Sequence, residues 1–197
     1  MAGRAGRILL SAGEPSGDLH GGPLVEALRA RLPGFELEAL GGGRMAAAGA
    51  IVRFPLEHYT VLGFAEILTR LPRHWRLLRR LERELAGGRF DLALLIDYPG
   101  FNVRLAEAAH RQGVPVLYYI APKYWASGAG RVARLARAVD RLAVILPFEQ
   151  EFFARAGIAT EFVGHPLLDR PSPPSRPAAR AALGLRSGER LLALFPG

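Results

Sequence analysis

A doubly wound α/β fold with a parallel, Rossmann-like sheet is what this sequence predicts, and three observations carry the prediction. Strand-like and helix-like segments alternate from residue 7 to residue 163, the pattern of successive βα units joined by right-handed crossovers. Residues 90–96 are a near-continuous apolar run, the mark of a central parallel strand buried on both faces. A glycine-rich stretch, Ser11-Ala-Gly-Glu-Pro-Ser-Gly-Asp-Leu-His-Gly-Gly22, follows directly on the apolar Ile8-Leu9-Leu10. Open α/β sheets place their ligands at such a carboxyl edge.

The elements follow in order. Residues 7–12 read as a strand, then a turn holding Gly13, Gly17, Gly21 and Gly22, then a helix over 22–32 that Pro33-Gly34 stops. Residues 35–40 alternate apolar with acidic as a strand, and a short helix over 44–48 closes at Gly49. The longest helix is expected over 65–86, followed by the strand 90–96. Helices at 101–112, 129–138 and 148–156 then alternate with strands at 114–120, 140–146 and 160–163. Residues 1–168 therefore form the expected domain. Residues 169–188 read as a linker, whose Arg170-Pro-Ser-Pro-Pro-Ser-Arg-Pro177 cannot enter a sheet, plus a short helix over 178–183. Residues 189–197 read as the first strand, 191–195, of a second domain that is truncated.

Half of the 197 residues are hydrophobic, enough for a sizeable core, and the absence of cysteine excludes disulfides and thiolate metal sites. No apolar run reaches the roughly 18 residues of a spanning helix, and the first seven residues lead straight into a strand. The expectation is a cytoplasmic protein, or one attached to the cytoplasmic face of a membrane. The formal charge is +8, and of 26 basic residues only Lys123 is lysine. Arg73, Arg76, Arg80 and Arg83 recur at helical spacing, with Leu71, Trp75, Leu78 and Leu85 on another face; Arg131, Arg134 and Arg137 repeat the pattern against Val132, Leu135 and Val139. Such faces suit an anionic membrane surface or plain solvent. Nucleic acid is not expected, because no stacking aromatics are interleaved with the arginines.

Asp97 is the sharpest candidate for chemistry. It ends the buried strand and opens Ile96-Asp-Tyr-Pro-Gly-Phe-Asn102, where partial desolvation would lift a carboxylate toward the range of a useful general base. Asn102 is placed to cap the next helix. Glu14, Asp18 and His20 bring ionisable groups to the first turn, whose glycine spacing is not that of a dinucleotide fingerprint. His165, in Gly164-His-Pro166, could donate to a phosphate or a sugar hydroxyl, or could bond its own loop. The histidines show no metal-ligand spacing, and no metal or cofactor is expected.

Taken together, these motifs resemble the lipid-A-disaccharide synthase family. The matching pieces are Ser11-Ala-Gly-Glu-x-Ser-Gly-Asp18, Gly41-x-Gly-Arg-Met45, Leu62-Gly-Phe-Ala-Glu-Ile-Leu68 and Ile96-Asp-Tyr-Pro-Gly-Phe-Asn102. Further along come Tyr118-Tyr-Ile-Ala-Pro122 with Trp125, Leu146-Pro-Phe-Glu149 and Phe162-Val-Gly-His-Pro-Leu167, and the closing Leu194-Phe-Pro-Gly197 looks like the start of the family's donor loop. The resemblance implies the N-terminal part of a two-domain, B-type glycosyltransferase, peripheral on the inner face of the bacterial inner membrane. It implies an inverting transfer of diacylglucosamine from its UDP derivative to diacylglucosamine 1-phosphate, in lipid A biosynthesis, with no metal and no covalent intermediate. Asp97 would be the general base toward the acceptor's 6-hydroxyl. Glu14, Ser16, Gly17, Asp18, Asn102, Trp125 and His165 would bind substrate, and Arg73, Arg76, Arg80 and Arg83 would meet the membrane. The family's Ser-Pro-x-x-Trp-Ala-Trp-Arg reads Ala121-Pro-Lys-Tyr-Trp-Ala-Ser-Gly128 here, which bears on the acceptor's identity. Without the donor-binding domain the fragment would not turn over. The alternatives are a glycosyltransferase or epimerase-like relative using another nucleotide sugar, or a non-catalytic domain that binds anionic lipid.

Overall fold

The computed structural model describes residues 6–59, 64–169 and 172–195, with backbone only at 64–71, 127 and 129. The chain divides into two compact units, residues 1–165 and 166–197. In the first, the described residues form a seven-stranded sheet in the order β3-β2-β1-β4-β5-β6-β7, parallel throughout. Its strands are β1 (Gly6–Ser11), β2 (Phe35–Gly41), β3 (Ile51–Pro55), β4 (Leu92–Ile96), β5 (Val116–Tyr119), β6 (Arg141–Val144) and β7 (Thr160–Phe162). The connecting helices are α1 (Pro15–Arg31), α2 (Gly43–Ala47), α3 (Phe64–Ala86), α4 (Pro99–Arg111), α5 (Tyr124–Ser127), α6 (Ala129–Ala136) and α7 (Pro147–Ala154).

Period-two alternation sends successive strand residues to opposite faces, and here both faces are apolar and covered. Leu9, Leu95 and Tyr118 pack with Leu81 of α3, Leu105 of α4 and Leu135 of α6. Ile8, Leu10, Leu94 and Ile96 pack with Val25 of α1 and Met45 of α2. Each fully buried large apolar side chain stabilises the fold by about 1.5–3 kcal/mol, which is why β4 reads as an unbroken apolar run. The chain winds outward from β1 to β3, returns through α3 to β4 beside β1, and then winds the other way. The carboxyl ends of β1 and β4 are thus the topological switch point, where the following helices diverge and leave a crevice.

Several local expectations are corrected. The helix expected over 22–32 begins at Pro15, so Gly17, Gly21 and Gly22 lie inside α1, and so does Pro23. Close packing explains the glycines. A Cβ on Gly17 would sit 3.1 Å from the Ala12 Cβ, and one on Gly21 would sit 2.7 Å from the Met45 sulfur. Tertiary approach overrides their poor helix propensity. The turn after β1 shrinks to Ala12-Gly13-Glu14. Strand β3 was not anticipated, although Ile51-Val-Arg-Phe54 begins two residues after Gly49. That glycine ends the α2 turn at φ +98.

The second unit holds a 3₁₀ turn, Pro166–Asp169, and helix α8 (Arg176–Ala182). Ser175 caps α8 by accepting from the Ala178 amide. Arg180 donates to the Arg186 and Glu189 carbonyls at 2.8 Å each. Residues 191–195, expected as a strand, have no regular structure, and Leu192 is 83% exposed. Among the described residues of this unit there is no other strand to take its backbone hydrogen bonds, so no ladder forms. Pro196 and Gly197, and Leu62 and Gly63 of the expected motif at 62–68, lie outside the described residues.

Candidate active site

Backbone strain marks the switch point. Among the described residues, the non-glycine positions with positive φ are Asp97 (+45), Tyr98 (+48) and Ile120 (+64). All three lie at the carboxyl ends of the neighbouring central strands β4 and β5. Left-handed conformations cost side-chain-bearing residues free energy and persist where surroundings over-determine them. The surroundings do so here. The Asp97 carbonyl accepts from the Tyr118 hydroxyl at 2.6 Å and from the Asn102 amide at 2.8 Å, while its N–H donates to the Tyr119 carbonyl at 3.0 Å.

With its backbone held at three points, Asp97 keeps a half-buried carboxylate at the crevice. Burial pushes its pKa up, and the charge of Glu14 pushes the same way; the Tyr98 N–H and the Lys123 ammonium pull it partly back. A carboxylate lifted in this manner binds a proton more readily than an ordinary aspartate. Lys123, the single lysine of the chain, enters the site through this field. Its rarity among 25 arginines was the signal in the sequence that would have found it.

Asn102 and Ser11 clasp the two central strands together. The Ser11 hydroxyl donates to Asn102 Oδ1 at 2.6 Å. Asn102 Nδ2 donates to the carbonyls of Ser11 (3.1 Å), Ile96 (3.1 Å) and Asp97 (2.8 Å). Both side chains are fully buried. α4 starts at Pro99, so Asn102 lies inside the helix and is not its cap. Its polar atoms are all engaged with protein, and its geometry is that of a residue positioning Asp97.

Asp18 is likewise committed elsewhere. Its carboxylate accepts the amides of Gly42 (2.8 Å), Arg44 (3.0 Å) and Met45 (3.1 Å), capping α2 from α1. A Cβ on Gly42 would collide with that carboxylate at 2.6 Å. Gly17 is buried in α1, and His20 lies a turn further along it. Glu14, in contrast, stays at the crevice as the residue preceding α1, accepting from the exposed Ser16 hydroxyl at 2.7 Å. Trp125 is 40% exposed at the carboxyl edge, its indole N–H donating to the buried Glu149 at 3.1 Å and its ring meeting Phe148 edge-on at 5.2 Å. His165 follows β7 in a half-buried loop.

An aromatic wall beside Asp97 escaped the sequence reading. The Tyr98 hydroxyl and His74 Nε2 are 2.9 Å apart. The His74 ring lies 5.8 Å from Tyr59 and 6.0 Å from Phe101. Gly13 lies under this wall, since a Cβ there would come within 1.9 Å of the Tyr98 ring. Of the basic face on α3, Arg73, Arg76 and Arg80 line a cleft with Tyr59, and Arg83 does not. Trp75, expected on the apolar face, is 52% exposed, with Arg104 6.0 Å over its ring. On α6, Arg134 is paired with Glu107 at 2.5 Å. Among the described residues, no group of three or more His, Asp or Glu side chains is arranged to hold a metal ion, and every buried side-chain polar atom has a partner.

A family model described as lipid-A-disaccharide synthetase matches residues 8–197. The lipid-A-disaccharide synthase of Myxococcus xanthus is 44% identical over 192 residues, covering 97% of this chain and 50% of that protein. The one from Geobacter metallireducens is 46% identical over 193 residues, with the same coverage of 97% and 50%. The chain spans about half the length of the curated relatives it matches. Among solved structures, Anabaena Alr3699/HepE in complex with UDP and glucose aligns at TM-score 0.49 and 17% identity, over 90% of this chain and 50% of that one. So distant a likeness carries no argument about function.

Proposed function

This chain belongs to the lipid-A-disaccharide synthetase family, and from that premise we propose that it carries the acceptor side and the catalytic base of an inverting glycosyltransferase. The observation that carries this reading is the Asp97 carboxylate, raised in pKa and fixed at the switch point of the sheet. In the proposed reaction, diacylglucosamine 1-phosphate presents its 6-hydroxyl to Asp97. The carboxylate takes the proton as the oxygen attacks the anomeric carbon of UDP-diacylglucosamine. The new C–O bond forms as the bond to the UDP oxygen breaks, with inversion, and UDP leaves with the bonding pair. Glu14 and Lys123 set the carboxylate's proton affinity from opposite sides. Asn102 and Tyr118 keep it aimed.

In this reading residues 1–168 are the acceptor side, 169–188 a connector, and 189–197 the start of the donor side. UDP-sugar binding falls to the half of the relatives' length that this chain does not span. Trp125 and His165, both at the carboxyl edge, are proposed to flank the substrates. No helix among the described residues is long and apolar enough to cross a membrane, and acylated substrates call for attachment to a bilayer surface. The arginine face of α3, Arg73, Arg76, Arg80 and Arg83, supplies the cationic contact in this proposal, each charge contributing about 1 kcal/mol near anionic lipid. Equal binding to neutral and anionic vesicles, insensitive to salt, would count against it.

The test of the base uses a protein spanning the full length of the relatives. Asp97→Asn should lower kcat by about 10²–10⁴-fold with the melting temperature unchanged or higher. Turnover at the wild-type rate would remove Asp97 from the role.

A further inference from the structure

We propose that the cleft under the arginine face of α3 is a subsite for a phosphate monoester, the anionic end of the acceptor; the assignment to the acceptor rests on the function proposed above. Arg73, Arg76 and Arg80 stand three and four residues apart, the spacing that stacks side chains on one helix face. Together with His58 and Tyr59, from the segment after β3, they line a cleft of about 440 Å³. Its floor is Phe54 and Leu77, which are 4% and 3% exposed.

No carboxylate is among the described residues lining this cleft; Glu57 belongs to the same 3₁₀ turn as His58 but does not line it. Several arginines elsewhere in the sheet and its helices are matched by carboxylates. Arg53 and Arg89 pair with Glu38 and Glu84, Arg134 with Glu107, and Arg111 with Glu82. In the cleft, Arg80 is anchored by Glu84 at 3.1 Å and lies 5.1 Å over the Phe54 ring. Arg76 donates from Nε to the Pro72 carbonyl at 3.3 Å. Among the described residues neither Arg73 nor Arg76 has a carboxylate partner. Cations converging on a concave wall repel one another, and an anion with several acceptor oxygens relieves that repulsion. A phosphate monoester offers three such oxygens and close to two charges, the match that guanidinium groups make in charge-assisted, bidentate pairs.

The size and place of the cleft narrow the ligand further. A volume of about 440 Å³ is that of an ordinary small-molecule site, with room for a sugar ring beside the phosphate. Tyr59 joins the cleft to the reaction centre, because its ring packs 5.8 Å from His74, and His74 Nε2 is 2.9 Å from the hydroxyl of Tyr98, the neighbour of Asp97. A sugar held by its phosphate among the arginines lies along this aromatic wall, with its hydroxyl end toward the base.

The experiment is titration calorimetry on this chain with glucosamine 1-phosphate, glucosamine and inorganic phosphate, with sedimentation on phosphatidylglycerol and phosphatidylcholine vesicles as a parallel arm. The wild type should bind glucosamine 1-phosphate, inorganic phosphate should compete, and glucosamine should bind at least tenfold more weakly. Arg73→Gln/Arg76→Gln alters two exposed positions and should weaken glucosamine 1-phosphate at least tenfold with an unchanged melting curve. Wild-type affinity in the double variant, or no binding of glucosamine 1-phosphate by the wild type, would overturn the subsite. So would loss of phosphatidylglycerol binding in the double variant with sugar-phosphate affinity unchanged, because that assigns the arginines to bilayer headgroups. Asp97→Asn should bind inorganic phosphate as the wild type does, because the phosphate lies among the arginines and away from the base. Failure of the phosphate subsite and failure of the proposed base are thereby read in separate measurements.

Discussion

Glu38 and Asp97 are carboxylates of the same sheet, and the protein treats them in opposite ways. Glu38, on β2, is 2% exposed. Burial alone would push its pKa up, but hydrogen bonds from Arg89 and Arg53 more than reverse that, and it ends below the ordinary glutamate range. Its neighbour Glu84 is held low first by the hydrogen bond from Arg53. Arg53 reaches both acids, at 2.7 and 2.6 Å. Asp97 is less buried, yet its pKa moves up, because burial is reinforced by Glu14 and only partly offset by Lys123 and one amide. Burial pushes both carboxylates up, and the supply of cations decides which of the two is reversed. One carboxylate is neutralised by its arginines, and the other is left under-compensated at the crevice.

The largest stability change in this comparison is expected at the clasp that holds Asp97. Asn102→Ala removes a buried amide serving three carbonyls and leaves the Ser11 hydroxyl without its acceptor. The expected loss is about 2–4 kcal/mol, read from the urea midpoint. A loss under roughly 0.5 kcal/mol would mean that the strained turn stands without the clasp.

Glu38→Gln should cost less, about 1–3 kcal/mol, because Arg53 and Arg89 retain Glu84 and some access to water. It also carries a pH signature. Groups whose folded pKa is lowered contribute stability above their unfolded pKa and lose it as pH falls through the folded value. The wild type should therefore weaken as acid reaches the glutamate range, and Glu38→Gln should weaken less steeply. An unchanged acid slope would break the contrast with Asp97.

Tyr118→Phe removes one hydrogen bond to the Asp97 carbonyl and should cost about 1 kcal/mol. The smallest change should come from Asp97→Asn. A raised folded pKa means that the ionised form is disfavoured by folding, so its cost grows as pH rises from the unfolded value through the folded one. Removing the charge should leave stability at neutral pH equal or slightly higher, in a direct comparison of melting curves with Glu38→Gln.

Much of this was legible in the sequence, for identifiable reasons. The buried run of β4, the alternation of elements and the position of Asp97 at a strand end follow from periodicity and apolar content, which act locally. The start of α1 was not legible, because Gly17 and Gly21 behave as turn residues in isolation and become helical only through contact with Ala12 and Met45. The commitments of Asp18 to α2 and of Asn102 to β1 depend on partners 24 and 91 residues away. The convergence of Arg73, Arg76 and Arg80 with His58 and Tyr59 depends on how β3, itself unanticipated, delivers its exit to α3. Residue types announced chemistry at these positions, and only the fold showed which groups were already spent.

Carbon-detected NMR titration of the Asp97 carboxyl, in the wild type and in Glu14→Gln, decides whether the crevice keeps Asp97 under-compensated. The expected pKa lies above the ordinary aspartate range and falls when the Glu14 charge is removed. A wild-type value at or below that range, unmoved by Glu14→Gln, would contradict it.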